Sequence, residues 1–247
     1  MSILKAINLT KIYNSRKVVD NVSLEIRSGE IIGFLGRNGA GKTTTFQIIV
    51  GLIKPEKGEI YLDNKRITHS PSYLRAREGL VYLPQENSVF LKATVEENLK
   101  IIMDLFPLSK EEKIKKMKQI MEELSIAHLA KSKAYTLSGG EKRRLEICRA
   151  LLIDPKFLFL DEPFTGIDPI TINELQDLML NLKTRRIGIV ISDHNVRDTF
   201  KVINRAYIIH EGKILIEGSP AELANNELAR EKFLGKDFEL GKEKSIH

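Results

Sequence analysis

One glycine-rich segment restricts the possible folds of this chain more than any other feature. The segment from Gly36 to Thr43 has the sequence G-R-N-G-A-G-K-T, which matches the pattern G-x-x-x-x-G-K-S/T. An apolar run at 31–35 comes before it, and an apolar segment from about Lys42 to Gly51 follows. The sequence therefore predicts a strand buried on both faces, then a loop, then a helix.

The residue types in this loop suit the binding of nucleotide phosphates. Glycines let backbone N–H groups turn toward phosphate oxygens, and a helix N-terminus adds partial positive charge. We expect Lys42 to reach the β and γ phosphates of ATP, Thr43 to offer its hydroxyl to Mg²⁺, and Thr44 to add a phosphate contact. A glycine-rich turn without a ligand is the structural alternative. The other candidate binding residues of the loop are Gly36, Arg37, Asn38, Gly39, Ala40 and Gly41.

A second buried strand ends in two carboxylates. The apolar run 157–160 is followed directly by Asp161 and Glu162. The first carboxylate is placed to hold Mg²⁺ through water, and the second can polarise the water that attacks the γ phosphate. Taken alone, such a pair could equally end an ordinary strand. Beside a phosphate-binding loop, it indicates ATP hydrolysis.

The patterns elsewhere alternate between strand and helix, which predicts an α/β fold with a mostly parallel sheet. Apolar and polar residues alternate over 4–26, which favours antiparallel strands. A capping box at Ser109 opens a charged helix, another helix follows Gly140, and 186–192 is a third buried strand. Ser219, Pro220 and the glutamate after them predict a last helix that runs to about Leu234.

Composition narrows the class of protein. With 247 residues and 42% hydrophobic content, the chain can bury a core. Cys148 is the single cysteine, so we expect no internal disulfide and no structural zinc site, and we expect this thiol to be inert core. No stretch approaches about 18 uninterrupted apolar residues. We therefore expect a cytoplasmic protein that does not cross a membrane alone.

The net charge of +6 suits an anionic partner, although mixed-sign charge is typical of solvated surface. Basic and aromatic residues are not interleaved in the way that nucleic-acid binding favours, so no nucleic-acid partner is expected.

Residues 137–141 read L-S-G-G-E and resemble the signature of ABC ATPases, between the phosphate loop and the Asp-Glu strand. Other elements of that family follow in its order: Tyr13, Gln85 after Leu-Pro, Asp168 in Gly-Ile-Asp, and His194 after the third buried strand. Each of these side chains, taken singly, also has an ordinary structural interpretation. Arg37 stands where the family often has an apolar residue.

The resemblance covers nearly the whole chain and implies the family's fold. That fold is a P-loop NTPase core with a mostly parallel sheet, an N-terminal antiparallel β subdomain and an inserted α-helical subdomain. It implies an ABC ATPase domain at 1–240, with the core and β subdomain at about 1–85 and 155–240 and the helical subdomain at about 86–154. A flexible tail is expected at 241–247.

The resemblance also implies roles for single residues. Tyr13 would stack on adenine, and Gln85 would touch Mg²⁺ and the attacking water. Asp168 would couple two sites across a dimer, and His194 would contact the γ phosphate.

A physical argument also leads to a dimer. Ser138, Gly139 and Gly140, with Glu141 after them, start a helix and so form a second anion site, yet the first loop already wraps its own nucleotide. The second site therefore suits the γ phosphate bound by another copy. Two copies facing head to tail would hold each ATP between Lys42 of one copy and Ser138 of its partner, giving an ATP-sandwiched homodimer.

Three stretches, 82–90, 162–170 and 192–199, resemble the ATPases that power lipopolysaccharide export from the inner membrane of Gram-negative bacteria, as does the ending 233–240. This resemblance implies two transmembrane permease subunits that dock near Gln85–Leu91. Phe90 and Leu91 would line the groove that receives a coupling helix, or would be simple core packing. The protein would lie on the cytoplasmic face of the inner membrane through these partners.

Two alternatives stay open. The ATPases of branched-chain amino-acid importers share much of the same sequence. ABC ATPases that are not transporters hold the same motifs, although translation factors carry two cassettes and DNA-repair proteins a long coiled-coil insertion. This chain has one cassette and no sustained heptads.

Overall fold

The computed structural model describes residues 1–86, 88–236 and 238–239. The expected tail at 241–247 lies outside the described residues, as do Asp237 and Leu240 of the ending 233–240. The described residues form these strands: β1 (Ile3–Tyr13), β2 (Arg16–Arg27), β3 (Ile31–Leu35), β4 (Lys57–Leu62), β5 (Lys65–Arg66), β6 (Leu80–Leu83), β7 (Phe157–Asp161), β8 (Gly188–Ser192), β9 (Arg205–His210) and β10 (Lys213–Gly218).

The α-helices of the described residues mostly separate these strands. They are α1 (Lys42–Ile49), α2 (Ser72–Arg77), α3 (Val95–Met103), α4 (Lys110–Glu123), α5 (Gly139–Leu151), α6 (Pro169–Thr184), α7 (Val196–Phe200), α8 (Pro220–Asn225) and α9 (Glu227–Ala229). Short 3₁₀ turns lie at Ala127–Leu129 and Ala134–Thr136. Along the described part of the chain, no helix combines the length and the apolar character that a membrane span requires.

The strands form two sheets, which confirms the predicted fold class. The first is antiparallel, with the order β2-β1-β4-β5. The second has the order β10-β9-β3-β8-β7-β6, and its strands are parallel except for β10. Helices α3, α4 and α5 lie between β6 and β7 in the chain, as an inserted helical segment would. The domain boundaries themselves stay a prediction.

Strand β3 lies inside the second sheet and divides the core in two. All five of its residues are buried. Ile32 and Phe34 enter the cluster under α1, whereas Ile31 and Leu35 enter the cluster on the opposite face. This alternation is the two-residue period of a strand that is covered on both faces. The loop that follows β3 therefore starts from a rigid position.

Most of the longer helices begin with a reciprocal cap. Capping boxes open α3, α4, α5 and α8, and in each the N-cap side chain accepts from the third backbone N–H while the glutamate there accepts in return. The predicted capping box at Ser109 is confirmed, and so is the predicted helix start at Ser219, which also forms one. Helix α1 differs, because its N-cap is Gly41 and no side chain caps it.

The prediction of one last helix to Leu234 is wrong. The chain is extended at Asn226, with ψ of 122°, and a short α9 and a π-helical turn at Arg230–Leu234 follow. The side chain of Asn226 accepts a hydrogen bond from the N–H of Ala229 and so starts a new turn. This local bond competes with continuation of α8, as asparagine side chains often do.

A buried arginine holds the far end of α1. Arg75 of α2 is 2% exposed, and its guanidinium donates to the carbonyl oxygens of Ile48, Ile49, Thr68 and Ser70. Burial lowers the pKa of Arg75 to about 10. In the described part of the chain no carboxylate pairs with it. Backbone carbonyls thus stabilise the guanidinium, and two of them are at the C-terminus of α1, where a cation is favoured.

We expect Arg75→Met to destabilise the protein by about 3 kcal/mol, because it leaves buried carbonyl groups without donors. Urea unfolding followed by circular dichroism measures the change. Arg77→Met is the matched control, because Arg77 lies on the same helix with an exposed guanidinium 6.0 Å from the ring of Tyr73. Equal midpoints for the two variants would contradict the assigned role of Arg75.

Candidate functional site

The predicted chemical groups meet at one edge of the second sheet. The phosphate loop follows β3, the Asp-Glu pair ends β7, His194 follows β8, and Gln85 follows β6. These four strands are parallel. Their carboxyl ends therefore share one edge, which is where ligands bind in open α/β sheets.

The shape of the loop depends on two of its glycines. A Cβ atom at Gly36 would lie 2.3 Å from the carbonyl oxygen of Ile209. Gly41 has a φ of 104°, and a Cβ there would lie 2.4 Å from the carbonyl oxygen of Val18. Any side chain at either position would clash with backbone. By contrast, Gly39 faces open space.

The start of α1 suits an anion. The first N–H groups of a helix have no partner within it, and here no side chain supplies one. The first turn also carries no acidic residue. Thr43 is exposed at this end, while Lys42 is only 6% exposed. Backbone donors, a hydroxyl and an ammonium group are the groups that a phosphate chain requires.

The ammonium group of Lys42 folds back over the loop. Its Nζ donates to the carbonyl oxygens of Gly36 at 2.8 Å and Arg37 at 3.1 Å. Burial lowers the pKa of Lys42, and the nearby negative charges of Glu162, Asp161 and Asp193 act in the opposite direction. Lys42 therefore stands between the loop and the carboxylates.

Glu162 contacts two other predicted site residues, Gln85 and His194. Its Oε2 accepts hydrogen bonds from Nε2 of Gln85 at 2.9 Å and from Oγ1 of Thr165 at 3.1 Å. Nδ1 of His194 lies 3.5 Å from the same oxygen. The sequence thus placed Glu162, Gln85 and His194 in one site, and the structure has them in contact.

The backbone of Glu162 is unusual. Its φ is 46°, in the left-handed region that a glutamate rarely adopts, and its N–H donates to the carbonyl oxygen of Ser192 at 2.6 Å. Strained backbone of this kind is concentrated at functional sites, where surrounding contacts hold it. Here the neighbouring strand β8 supplies the contact.

Two residues of the site, Asp193 and Tyr82, were not predicted from the sequence. Asp193 is buried, and its carboxylate accepts from the N–H groups of Phe164 and Asn195, so it ties the loop after β7 to the loop after β8. Burial raises the pKa of Asp193. Tyr82 donates to Oδ2 of Asp161 at 3.0 Å. Burial, and then the charge of Asp161, raises the pKa of Tyr82, which keeps the hydroxyl a donor.

The remaining predicted residues lie apart from this cluster. Tyr13 ends β1 with its ring 43% exposed and 5.2 Å from Nζ of Lys11. Ser138 and Glu141 cap α5 through each other. Among the described residues, no hydrogen bond or ion pair joins 138–141 to 36–44. Their roles in nucleotide binding stay predictions.

The signature segment and Asp168 form a second local unit. A Cβ at Gly140 would lie 2.4 Å from Cγ2 of Thr171, so α5 packs closely on the start of α6. Asp168 caps α6 by accepting from the N–H groups of Ile170 and Thr171 and from the Thr171 hydroxyl. These bonds, led by that hydroxyl, lower the pKa of Asp168. The carboxylate of Asp168 thus has a structural use within its own chain.

Comparison with known proteins agrees with this geometry. The family model described as ABC transporter matches residues 19–165, which is more than half of the chain. The chain belongs to the ABC transporter family of ATP-binding proteins. It is an ABC ATPase, which binds a nucleotide and hydrolyses ATP to drive a transporter.

Individual relatives cover nearly all of this ABC ATPase. It is 47% identical over 238 residues to the lipopolysaccharide export system ATP-binding protein LptB of Acidithiobacillus ferridurans, covering 96% of this chain and 99% of that one. A nucleotide-free ATP-binding cassette from an ABC transporter has a TM-score of 0.86 at 30% identity, over 96% and 100% of the two chains. The bacterial cassette MJ0796, solved as a dimer, has a TM-score of 0.78 at 26% identity, over 87% and 98%.

Proposed function

We propose that this ABC ATPase powers lipopolysaccharide export and hydrolyses ATP at the site around Glu162. The observation that supports the catalytic assignment is the convergence of Gln85, Thr165 and His194 on a single oxygen of Glu162. A carboxylate held by several neighbours has a fixed orientation, and fixed orientation is what a general base requires.

The donor set near the loop fits Mg²⁺. The oxygen donors available are the Thr43 hydroxyl, the Asp161 carboxylate and the amide oxygen of Gln85, whose amide nitrogen is already bonded to Glu162. In the described residues no group of three or more His, Cys, Asp or Glu side chains could hold a metal alone. Mg²⁺ commonly takes one or two carboxylates together with substrate phosphates, so a sparse set is appropriate. Bound there, it would neutralise charge that develops on the phosphates.

Each residue of the site then has a separate role in ATP hydrolysis. The backbone of 36–44 holds the phosphates, and Lys42 exchanges its two carbonyl bonds for phosphate oxygens. Glu162 accepts a hydrogen bond from the attacking water and polarises it, while Gln85 positions that water. His194 is exposed enough to contact the γ phosphate.

The dimer proposal rests on exposed groups that, among the described residues, make no hydrogen bond or ion pair with the loop. Ser138 and Gly139 are exposed at the start of α5, and Tyr13 is half exposed at the end of β1. A second copy can therefore offer Ser138, Gly139, Gly140 and Glu141 to ATP held by Lys42. Asp168 is fixed beside them through α6. That the relative MJ0796 was solved as a dimer supports the formation of a dimer.

A groove beside Gln85 is proposed to receive the membrane partners. It is lined in part by Phe90, Leu91 and Ile101, whose side chains are 49%, 48% and 43% exposed. The buried side chain of Asn98 bonds the backbone N–H and carbonyl of Phe90, so the backbone is fixed while the ring faces outward. An anchored apolar ring suits a coupling helix from each of two transmembrane permease subunits of the LptF/LptG kind.

The relatives support the proposed cargo and location. Identity of 47% over almost the full length of LptB supports lipopolysaccharide as the cargo. Docked on its permeases, the ATPase would lie on the cytoplasmic face of the inner membrane. Affinity purification from membranes tests this, because co-purification of amino-acid permeases instead would overturn the cargo proposal.

We expect Glu162→Gln to bind ATP but to hydrolyse it at least about 100-fold more slowly, because the amide cannot act as a base. Phosphate release measures turnover, and light scattering with Mg-ATP measures the stable dimer that should accumulate. Glu122→Gln, at an exposed position on α4, is the control and should behave as the parent chain. Rapid turnover by Glu162→Gln would refute the assignment, and a monomer at saturating Mg-ATP would refute the dimer.

We expect Phe90→Ala to leave ATP binding intact and to reduce capture of the permeases several-fold, since it removes the exposed ring from the groove. Co-purification of the tagged variant from membranes gives the measurement. Ile114→Ala is the matched control, because Ile114 is 51% exposed and lies outside the groove lining. Undiminished capture by Phe90→Ala would count against the groove.

A further inference from the structure

Strand β6 carries a hydroxyl, that of Tyr82, which has no role in the proposed hydrolysis. Tyr82 lies on β6, and its hydroxyl donates to Oδ2 of Asp161 at the end of β7, with an O–O distance of 3.0 Å. β6 and β7 are parallel, and Tyr82 lies opposite Phe159. Asp161 is two residues beyond Phe159, so the side chains of Tyr82 and Asp161 are on the same face of the sheet.

That face is the one covered by the helix of the phosphate loop. Phe159 packs against Phe46 of α1 with 5.2 Å between ring centroids, and Tyr82 packs against the same cluster. The tyrosine ring is therefore fixed by the apolar core, and its hydroxyl reaches the polar edge beyond it. A donor with a fixed ring has little freedom to turn away from its acceptor.

Tyr82 supplies the hydrogen bond of Asp161, while the nearby Lys42 supplies an opposite charge. The residue is 2% exposed, and within the described residues the Tyr82 hydroxyl is the one group that donates a hydrogen bond to its carboxylate. A buried carboxylate needs hydrogen bonds or a counter-charge, because burial alone disfavours its ionised form. The bond engages Oδ2, and Oδ1 receives none from the described chain.

We infer that Tyr82 is a positioning residue: its hydroxyl holds Asp161 by one oxygen so that the other serves the hydration shell of nucleotide-bound Mg²⁺. The inference rests on the proposed function of Asp161 as the carboxylate on the metal side. Partners that orient a metal-binding carboxylate in this way commonly contribute about 10-fold to 100-fold in metal affinity. Tyr82 touches neither the nucleotide nor the attacking water in this scheme.

The variant Tyr82→Phe removes one oxygen atom and keeps the ring that packs in the core. With a non-hydrolysable ATP analogue bound, we expect it to weaken Mn²⁺ binding, used as a probe of the Mg²⁺ site, by about 10-fold or more. Electron paramagnetic resonance measures free Mn²⁺ directly, without reference to activity. Affinity for the analogue in EDTA should stay unchanged, since no phosphate contact is lost.

Tyr61→Phe is the matched control. The Tyr61 hydroxyl also donates to a carboxylate, that of Glu59, but on β4 of the other sheet. This variant should bind Mn²⁺ as the parent chain does. Equal Mn²⁺ affinities for Tyr82→Phe and Tyr61→Phe would overturn the inference.

A double-mutant cycle with Asp161→Asn distinguishes the role of Tyr82 from the proposed role of Asp161. If Tyr82 acts through Asp161, the variant that carries both substitutions should bind Mn²⁺ no more weakly than Asp161→Asn alone. Additive losses would show that Tyr82 acts by another route and would overturn the inference alone. Unchanged Mn²⁺ affinity in Asp161→Asn would overturn the proposed role of Asp161, and the inference with it.

Discussion

The site depends on the N-terminus of α1, whose first N–H groups have no partner in the helix and no side-chain cap. Four other helices among the described residues satisfy this end with a capping box. At α1, Gly41 holds a φ of 104° against the Val18 carbonyl, where a capping side chain cannot fit. The helix therefore offers its donors to an anion, and the buried strand β3 fixes where they point.

The parallel sheet brings the remaining groups to these donors. Gln85, Glu162 and His194 are separated widely in the sequence, yet each follows a strand whose carboxyl end is at the same edge. The left-handed backbone of Glu162 and the buried carboxylate of Asp193 then fix the loops against each other. The geometry of the candidate site thus results from strand order, and the left-handed backbone of Glu162 completes it.

Local sequence predicted the parts of the site that depend on local chemistry. The phosphate loop and the carboxylates at the end of β7 each follow from neighbouring residues, as do the caps at Ser109 and Ser219 outside the site. Tyr82 and Arg75 could not be found in this way, because their partners are set by strand register and by packing between distant segments. The prediction of one last helix failed for a different reason. The Asn226 side chain accepts a hydrogen bond from the N–H of Ala229, and this bond competes with continuation of α8.

Arg75 places a positive charge at the C-terminal end of α1, opposite the phosphate loop. The helix has eight residues, so it is about 12 Å long, and its dipole faces a phosphate site at one end and a guanidinium at the other. The dipole effect of a charge is confined to the turn nearest to it, so Arg75 acts on the far end of α1 by holding the helix in place. The segment at 68–75, which no nucleotide touches in this scheme, becomes a remote place at which natural sequence variation could tune affinity for ATP without altering any residue of the loop.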